Sequence, residues 1–289
     1  MTGDKNVDRE IAELSALKLM TRSYGQMAAL RMKKMRDSVL YNRGYLEQIR
    51  GVFNEVIYEY SRTVGRVIFS GKWFAGKKNI TFLAHNGKSV AVFLSANTKR
   101  YGELLNETFD LFIEDVKAGS EATVVGSVGE NMFIKGGEGR SYTYFDFPDN
   151  NMDRETLMKL VRHLVVYEEI HIFYGKYERT SMPKPSKYVM SSNPQREISA
   201  AKPSEPFIFE PSVTDVLKFF EKEIFGNLFE QVMRESMLAK FASRLVAMSQ
   251  AEMKVSQALQ KAEVAGLRMV HAKKNRQQLN SLSSILVRG

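Results

Sequence analysis

LSALKLMTRSYGQMAALRMKKMRDSVLYNRGYLEQIRGVFNEV, residues 14–56, carries apolar or small side chains at alternating steps of three and four. The series is Leu14, Leu17, Thr21, Tyr24, Ala28, Met32, Met35, Val39, Asn42, Leu46, Ile49, Phe53 and Val56. Side chains spaced in this way line one face of an α-helix. No proline precedes Pro148, and Gly25, Gly44 and Gly51 are isolated. The spacing predicts one helix of roughly 45–50 residues, about 70 Å long at 1.5 Å per residue.

The other end of the chain reads alike. Pro211 marks a helix start, with Glu210 and Asp215 placed to meet its positive dipole end. The stripe runs Leu217, Phe220, Ile224, Leu228, Val232, then Leu238, Phe241, Leu245, Met248, Val255, Leu259, Ala262, Gly266 and Met269. With a break allowed near Gly226, a run of more than about 50 residues remains, which is coiled-coil length rather than that of a globular-core helix. Past Met269 the register would put Lys273, Arg276 and Asn280 inside, where they could not be buried without partners. Leu279, Leu282, Ile285 and Leu286 give this end an apolar tip that needs a socket.

Between the two helices the period changes to that of strands. Strands are expected at Ile80–Ala84, Val90–Leu94, Ala122–Val128 and Glu169–Glu178, and helices at Arg100–Lys117 and Asp153–Tyr167. Alternation of this kind argues a small α/β domain. Ser181–Pro206 holds five of the seven prolines and reads as a linker returning to the last helix. The expected fold is α/β plus a long antiparallel coiled coil. The terminal helices pair as a shaft, with a small Rossmann-like domain inserted between them. The boundaries are 1–60 for the first helix, 61–206 for the α/β domain with its linker, and 207–289 for the last helix and tip.

Composition narrows the function. The 289 residues are 44% hydrophobic and 26% charged, as in a folded soluble protein, and include no cysteine. Disulfides, iron–sulfur clusters, Cys-ligated zinc and Cys nucleophiles are thereby excluded. The four histidines, His85, His163, His171 and His271, are not spaced as metal ligands, and no cofactor is expected. No apolar run is long enough to span a membrane, and the N-terminus lacks the apolar core of a secretion signal.

The net charge of +9 is uneven. Lys18–Arg50 contributes +6 and the residues from Lys240 onward +7, so the remainder is −4. A basic excess confined to two helices fits an acidic protein partner better than nucleic acid, especially as Arg31, Lys33, Lys34 and Arg36 lack interleaved aromatics.

Signs of catalysis fail one by one. Gly87-Lys88-Ser89 ends like a phosphate loop, but Phe82 stands where its first glycine belongs and a strand, not a helix, follows; a hairpin turn is the expectation. The glycine-rich GSVGENMFIKGGEGR, residues 126–140, reads as a strand-to-strand loop. Glu114/Asp115 and Glu168/Glu169 read as solvated pairs, and no Ser–His–Asp set can be argued.

These features resemble the gamma subunit of the F-type rotary ATPase/ATP synthase. The N-terminal resemblance lies in QMAALRMKKMRDSVLYNRGYLEQIR, residues 26–50, where Arg43-Gly44-Tyr45 stands for the family's Arg-Pro-Tyr. The C-terminal resemblance lies in FIFEPS at 207–212, Glu235-Ser236, AKFASRLVAMSQA at 239–251, and Arg276-Gln277. YGKYERTSMPKP at 174–185 is similar to a further family strand and the proline after it. SANTKRYGELLN, residues 95–106, departs from the family's Asp-Arg-Gly-Leu-Cys-Gly-Gly-Leu-Asn, keeping only the closing Leu-Asn.

The resemblance implies a non-catalytic rotor subunit. Its partners would be the alpha and beta subunits of a catalytic head, with an epsilon-like subunit and a membrane c-ring where coupling is ordinary. It implies a peripheral protein on the cytoplasmic side of a bacterial cell membrane. Arg276 and Gln277 would touch the beta subunits from the tip. Arg31, Lys33 and Lys34 would face acidic beta loops. Arg43, Tyr45 and Glu210 would help build the foot. Two alternatives stay open: a gamma-like rotor of an ATP-hydrolysing motor without a proton ring, and a non-rotary coiled-coil adaptor.

Overall fold

A computed structural model describes residues 2–64, 83–84, 86–177, 182–191, 210 and 213–286. The first stripe becomes helix α1, Thr2–Val64, extending beyond the striped segment at both ends. Its seam is the expected one: Thr21, Ala28, Val39, Asn42, Leu46, Phe53 and Val56 are buried. Leu17 and Tyr24 are exposed instead, and buried Gly25 takes the seam between Thr21 and Ala28.

The chain forms two compact units, one of Met1–Leu30 with Arg244–Gly289, the other of Arg31–Ser243. The long C-terminal helix, Val213–Leu286, contributes to both and is α5 below. It does not break at Gly226. A mid-helix glycine costs about 1 kcal/mol relative to alanine. Burial of Ile224, Phe225 and Phe229 around it outweighs that cost.

In the first unit α1 and α5 run antiparallel. A methyl group on Gly266 would lie 3.3 Å from Val7 and 3.7 Å from Ile11, and one on Gly25 would lie 3.6 Å from Met248 Cβ. Glycine and alanine at the seam let the two backbones approach closely. Because Val7 already faces Gly266, the antiparallel register runs out of α1 near residue 271, while α5 continues to Leu286. Residues 267–282 are all exposed.

The second unit contains the sheet. Its strands are β1 Ser89–Leu94, β2 Glu121–Val125, β3 Tyr142–Phe145, β4 Glu169–Lys176 and β5 Lys184–Ser191. The order is β3-β2-β1-β4-β5, parallel except for β5. The connecting helices are α2 Leu104–Lys117, α3 Ser127–Gly136 and α4 Arg154–Leu164. Asp153 caps α4 by accepting the Thr156 N–H at 3.1 Å.

Strand β1 is covered on both faces. Val90, Val92 and Leu94 face a core shared with Leu160 and Leu164 of α4 and with Phe225, Phe229 and Val232 of α5. Ala91 and Phe93 face Phe112, Val116 and Phe133 of α2 and α3. This two-sided burial explains the unbroken apolar run VAVFL. Away from the sheet, Phe53 and Val56 of α1 meet Ile224 of α5, with the Phe220 ring 5.9 Å from Phe53.

Four expectations are corrected. GSVGENMFIKG is no strand-to-strand loop: Gly126, at φ +95°, turns the chain out of β2 and directly into α3, so Val128 is helical. The turn at Gly87 leads into parallel β1 and makes no hairpin. Part of the proline-rich linker is β5, the edge strand antiparallel to β4; the edge position tolerates Pro185, which has no N–H to donate. Leu83 and Ala84 lie outside any strand. The rest of the Ile80–Ala84 expectation, residues 192–206 of the linker and most of FIFEPS fall outside the described residues.

Candidate functional site

The second unit is tied together by two buried ionisable groups of α5. Glu235 is 5% exposed. Its Oε1 accepts from Arg43 Nε at 3.0 Å, Arg43 Nη2 at 2.5 Å and Gln231 at 3.1 Å. Its Oε2 accepts from Tyr174 of β4 at 3.5 Å. Burial, then the Glu235 charge, push the Tyr174 hydroxyl well above the usual tyrosine range, so it stays protonated as a donor. One carboxylate thus joins α1, α5 and the sheet.

Lys240, 8% exposed, donates to the Ser95 carbonyl at 2.6 Å, at the carboxyl end of β1. Ser243 donates to the Tyr101 carbonyl. The strand order reverses here, since β2 lies on one side of β1 and β4 on the other. Open α/β sheets bind ligands in the crevice at such a point. In this chain α5 donates into that crevice from its own side chains.

The loop leaving β1 is SANTKRYG, residues 95–102. Asp149, buried, accepts from Asn97 N–H at 2.9 Å, Thr98 N–H at 2.9 Å, Thr98 Oγ1 at 2.6 Å and Tyr101 hydroxyl at 3.1 Å. Asn97 in turn accepts the Ser127 N–H at the start of α3, at 2.8 Å. Val128 N–H donates to the Ala96 carbonyl at 2.8 Å. The amino end of α3 is therefore satisfied from within the chain.

The structure divides the expected shaft cations. Arg31 is half-buried, bonds Asn150 and lies 5.9 Å over the Phe241 ring. Lys33 and Lys34 are exposed. Among the foot residues, Arg43 is held by Glu235, while Tyr45 and Glu210 are exposed. Arg276 and Gln277 lie in the other compact unit, on the exposed final stretch of α5. There Lys274, Gln277, Gln278, Ser281 and Leu282 line a shallow groove.

Sequence reasoning gave no role to Glu235, Lys240 or Asp149. Each is a charged residue whose meaning depends on partners far away in the chain. Glu235 and Lys240 did carry a signal, since both interrupt the apolar stretch of α5.

Among the described residues no group of three or more His, Asp or Glu could hold a metal ion. Lys88 pairs with Glu121 at 3.3 Å, and the Gly87 N–H donates to Glu168 at 2.6 Å, so the would-be phosphate loop meets carboxylates. Asp115 accepts from His171 at 2.7 Å, Lys187 at 2.5 Å and Ser120 at 2.9 Å. Burial pushes the Asp115 carboxyl up, but these hydrogen bonds win and hold it below the usual range. His163 bonds Thr123 at 3.0 Å between the rings of Phe145 and Tyr167, and burial lowers its pKa against the pull of Glu121. No described helix is long and apolar enough to cross a membrane.

A sequence model of the ATP synthase family, ATP-synt, matches residues 4–269. An ATP synthase gamma chain from Caldicellulosiruptor saccharolyticus is 22% identical over 266 residues, covering 88% of each chain. One from Psychrobacter cryohalolentis is 21% identical over 275 residues, covering 87% of each. The fold is similar to a chain of the central stalk and c-ring structure of Tetrahymena thermophila mitochondrial ATP synthase, with TM-score 0.52 and 12% identity, covering 80% of this chain and 99% of that one. It is also similar to a chain of the Euglena gracilis mitochondrial ATP synthase, with TM-score 0.51 and 13% identity, covering 89% and 94%. With the match running through both terminal helices and the sheet between them, the chain belongs to the ATP synthase family and stands with its gamma chains.

Proposed function

We propose that the chain is the central-stalk rotor of an F-type ATP synthase/ATPase, coupling rotation to ATP synthesis or hydrolysis in an alpha/beta catalytic head. It is a non-catalytic subunit. The observation that carries the reading is the pair of long terminal helices in which α5 outruns α1 and stays exposed over residues 267–282. A helix pair is asymmetric in cross-section. It offers a different face to each surrounding subunit and so biases the conformational equilibrium of each. The partners are alpha and beta subunits of the head, an epsilon-like subunit and a c-ring, and the protein is peripheral on the cytoplasmic side of the membrane. Arg276 and Gln277 contact the beta subunits, Lys33 and Lys34 face acidic beta loops, and Arg43, Tyr45 and Glu210 belong to the foot.

A second reading is a gamma-like rotor in an ATP-hydrolysing motor without a proton ring. The altered stretch Ser95–Asn106 favours it. The test is purification of the native complex through a tag on this chain, with a mass-spectrometric inventory. Alpha- and beta-type ATPase subunits are expected. Their absence would leave a non-rotary adaptor. A head recovered intact without ring subunits, in a detergent that preserves membrane assemblies, would favour the second reading.

A further inference from the structure

Asn86-Gly87, the single Asn-Gly step in the chain, has no part in the rotor and no phosphate to hold, but it has a chemistry of its own. In such a step the glycine nitrogen can attack the asparagine side-chain carbonyl carbon, because glycine has no Cβ to crowd the approach. The bond from Gly87 N to Asn86 Cγ forms and the bond from Cγ to Nδ2 breaks. Nδ2 leaves as ammonia and takes up the amide proton. Water then opens the five-membered succinimide at either carbonyl, leaving aspartate or isoaspartate.

Both residues are exposed, so water reaches them. Gly87 sits at φ +68°, and a methyl group there would meet nothing within 4 Å. The turn itself, not crowding, therefore requires the residue that makes the step reactive. Three hydrogen bonds fix the reacting atoms. Asn86 Nδ2 donates to the Val166 carbonyl at 2.7 Å, and Asn86 Oδ1 accepts the Lys88 N–H at 3.0 Å. The attacking nitrogen, Gly87 N–H, donates to Glu168 at 2.6 Å. A carboxylate is far too weak a base to remove a peptide proton, so Glu168 holds the nitrogen rather than activating it. Attack needs the carboxamide to swing onto Gly87 N, and these bonds must open first.

The turn is also clipped on both sides. Ala84 N–H donates to the Val165 carbonyl at 3.1 Å and Glu168 N–H to the Lys88 carbonyl at 2.9 Å, just before Ser89 pairs with Glu169. Isoaspartate adds one carbon to the main chain between those clips. Aspartate keeps the length but sets a carboxylate oxygen against the Val166 carbonyl that Nδ2 serves.

We propose that Asn86 is a site of spontaneous deamidation that the fold holds inert, with Glu168 as its positioning residue, and that its products loosen the entry to central strand β1. This stands whether or not the chain turns inside a catalytic head.

The test incubates the full purified chain at mildly alkaline pH, folded or in urea. Peptide mass spectrometry follows Asn86, and enzymatic methylation follows isoaspartate. In urea Asn86 should deamidate faster than any other asparagine, and Gly87→Ala should slow it. Folding should slow wild type by at least about tenfold, since three hydrogen bonds must open together. Glu168→Ala should speed the folded chain about fivefold, the worth of one such bond, with little change in melting temperature. Glu169→Ala, whose carboxylate lies 3.5 Å from His171 instead, should match wild type. Asn86→Asp should fold but melt lower. Equal wild-type rates folded and in urea, a wild-type rate in Glu168→Ala, or an equal acceleration in Glu169→Ala would overturn the protection. If Glu168→Ala does not fold, the comparison of folded and unfolded wild type decides. A wild-type melting temperature in Asn86→Asp would overturn the effect on β1.

Discussion

The two compact units use the same two helices in opposite ways. In the unit of Met1–Leu30 with Arg244–Gly289 the seam is made mostly of small side chains, with Thr21, Ala28, Ala262 and the glycines at 25 and 266 letting backbones approach and Met248 as its large buried side chain. In the unit of Arg31–Ser243 the same helices bury Leu46, Phe53, Phe225, Phe229 and Phe241. Large apolar side chains contribute about 1.5–3 kcal/mol each when fully buried. Close helix approach through glycine and alanine contributes far less area. Stability is thus concentrated where the helices meet the sheet. The slim pair keeps its outer surface for contacts beyond the chain.

The contrast can be broken most forcefully at Phe229, which is fully buried between α5 and the sheet. Phe229→Ala should cost about 3–5 kcal/mol. Urea unfolding followed by fluorescence of the α/β region would show the midpoint falling; an unchanged midpoint would mean that α5 is not part of that core.

A smaller effect reads the sheet-containing unit alone, through pH. The folded state disfavours the His163 cation, so the unfolded chain binds more protons between the lowered folded pKa and the ordinary value of 6.5. The stability that depends on neutral His163 is complete above about 6.5. It falls as pH drops below that value and levels off beneath the folded pKa. Asp115, whose pKa is lowered, loses its contribution only below the ordinary carboxylate value of 3.8. His163→Gln should flatten the upper of these two declines in a series of melting curves and leave the lower one in place.

The smallest effect has the opposite sign. Gly25→Ala would add a methyl group 3.6 Å from Met248 Cβ, an ordinary contact, while removing a mid-helix glycine. It should stabilise the slim unit by up to about 1 kcal/mol. Hydrogen exchange of the amides around residue 25 would slow. Faster exchange would show that the pair cannot accept even one methyl group.

The terminal helices were legible because a period of 3.6 repeated over dozens of residues leaves little else that the chain can be. β1, β4, α2 and α4 were legible for the same reason on a smaller scale, with ends displaced by a few residues. What escaped had its signal masked by composition. Around α3, five glycines in the fifteen residues 126–140 spoke for a loop, yet Gly129 is needed because a Cβ there would come within 2.5 Å of Ser95. In β5 the prolines concealed a strand that pairs through its other groups. The tip was read from its apolar residues alone. Arg31 was read as an outward charge and Arg43 as part of the foot, but Asn150 and Glu235, their partners, lie 119 and 192 positions away, beyond any local pattern. Asp149 was invisible for that reason too.

The final stretch of α5 has a mechanical meaning. Two helices wound together resist twisting far more than one, because material lies farther from the common axis. Where α1 ends and α5 continues for about fifteen residues at 1.5 Å each, the rod drops from double to single thickness. A lone helix of that length is close to the limit of its own stability in water. The unpaired stretch of α5 is therefore softer than the paired one, and can store a small angular lag as elastic energy and return it.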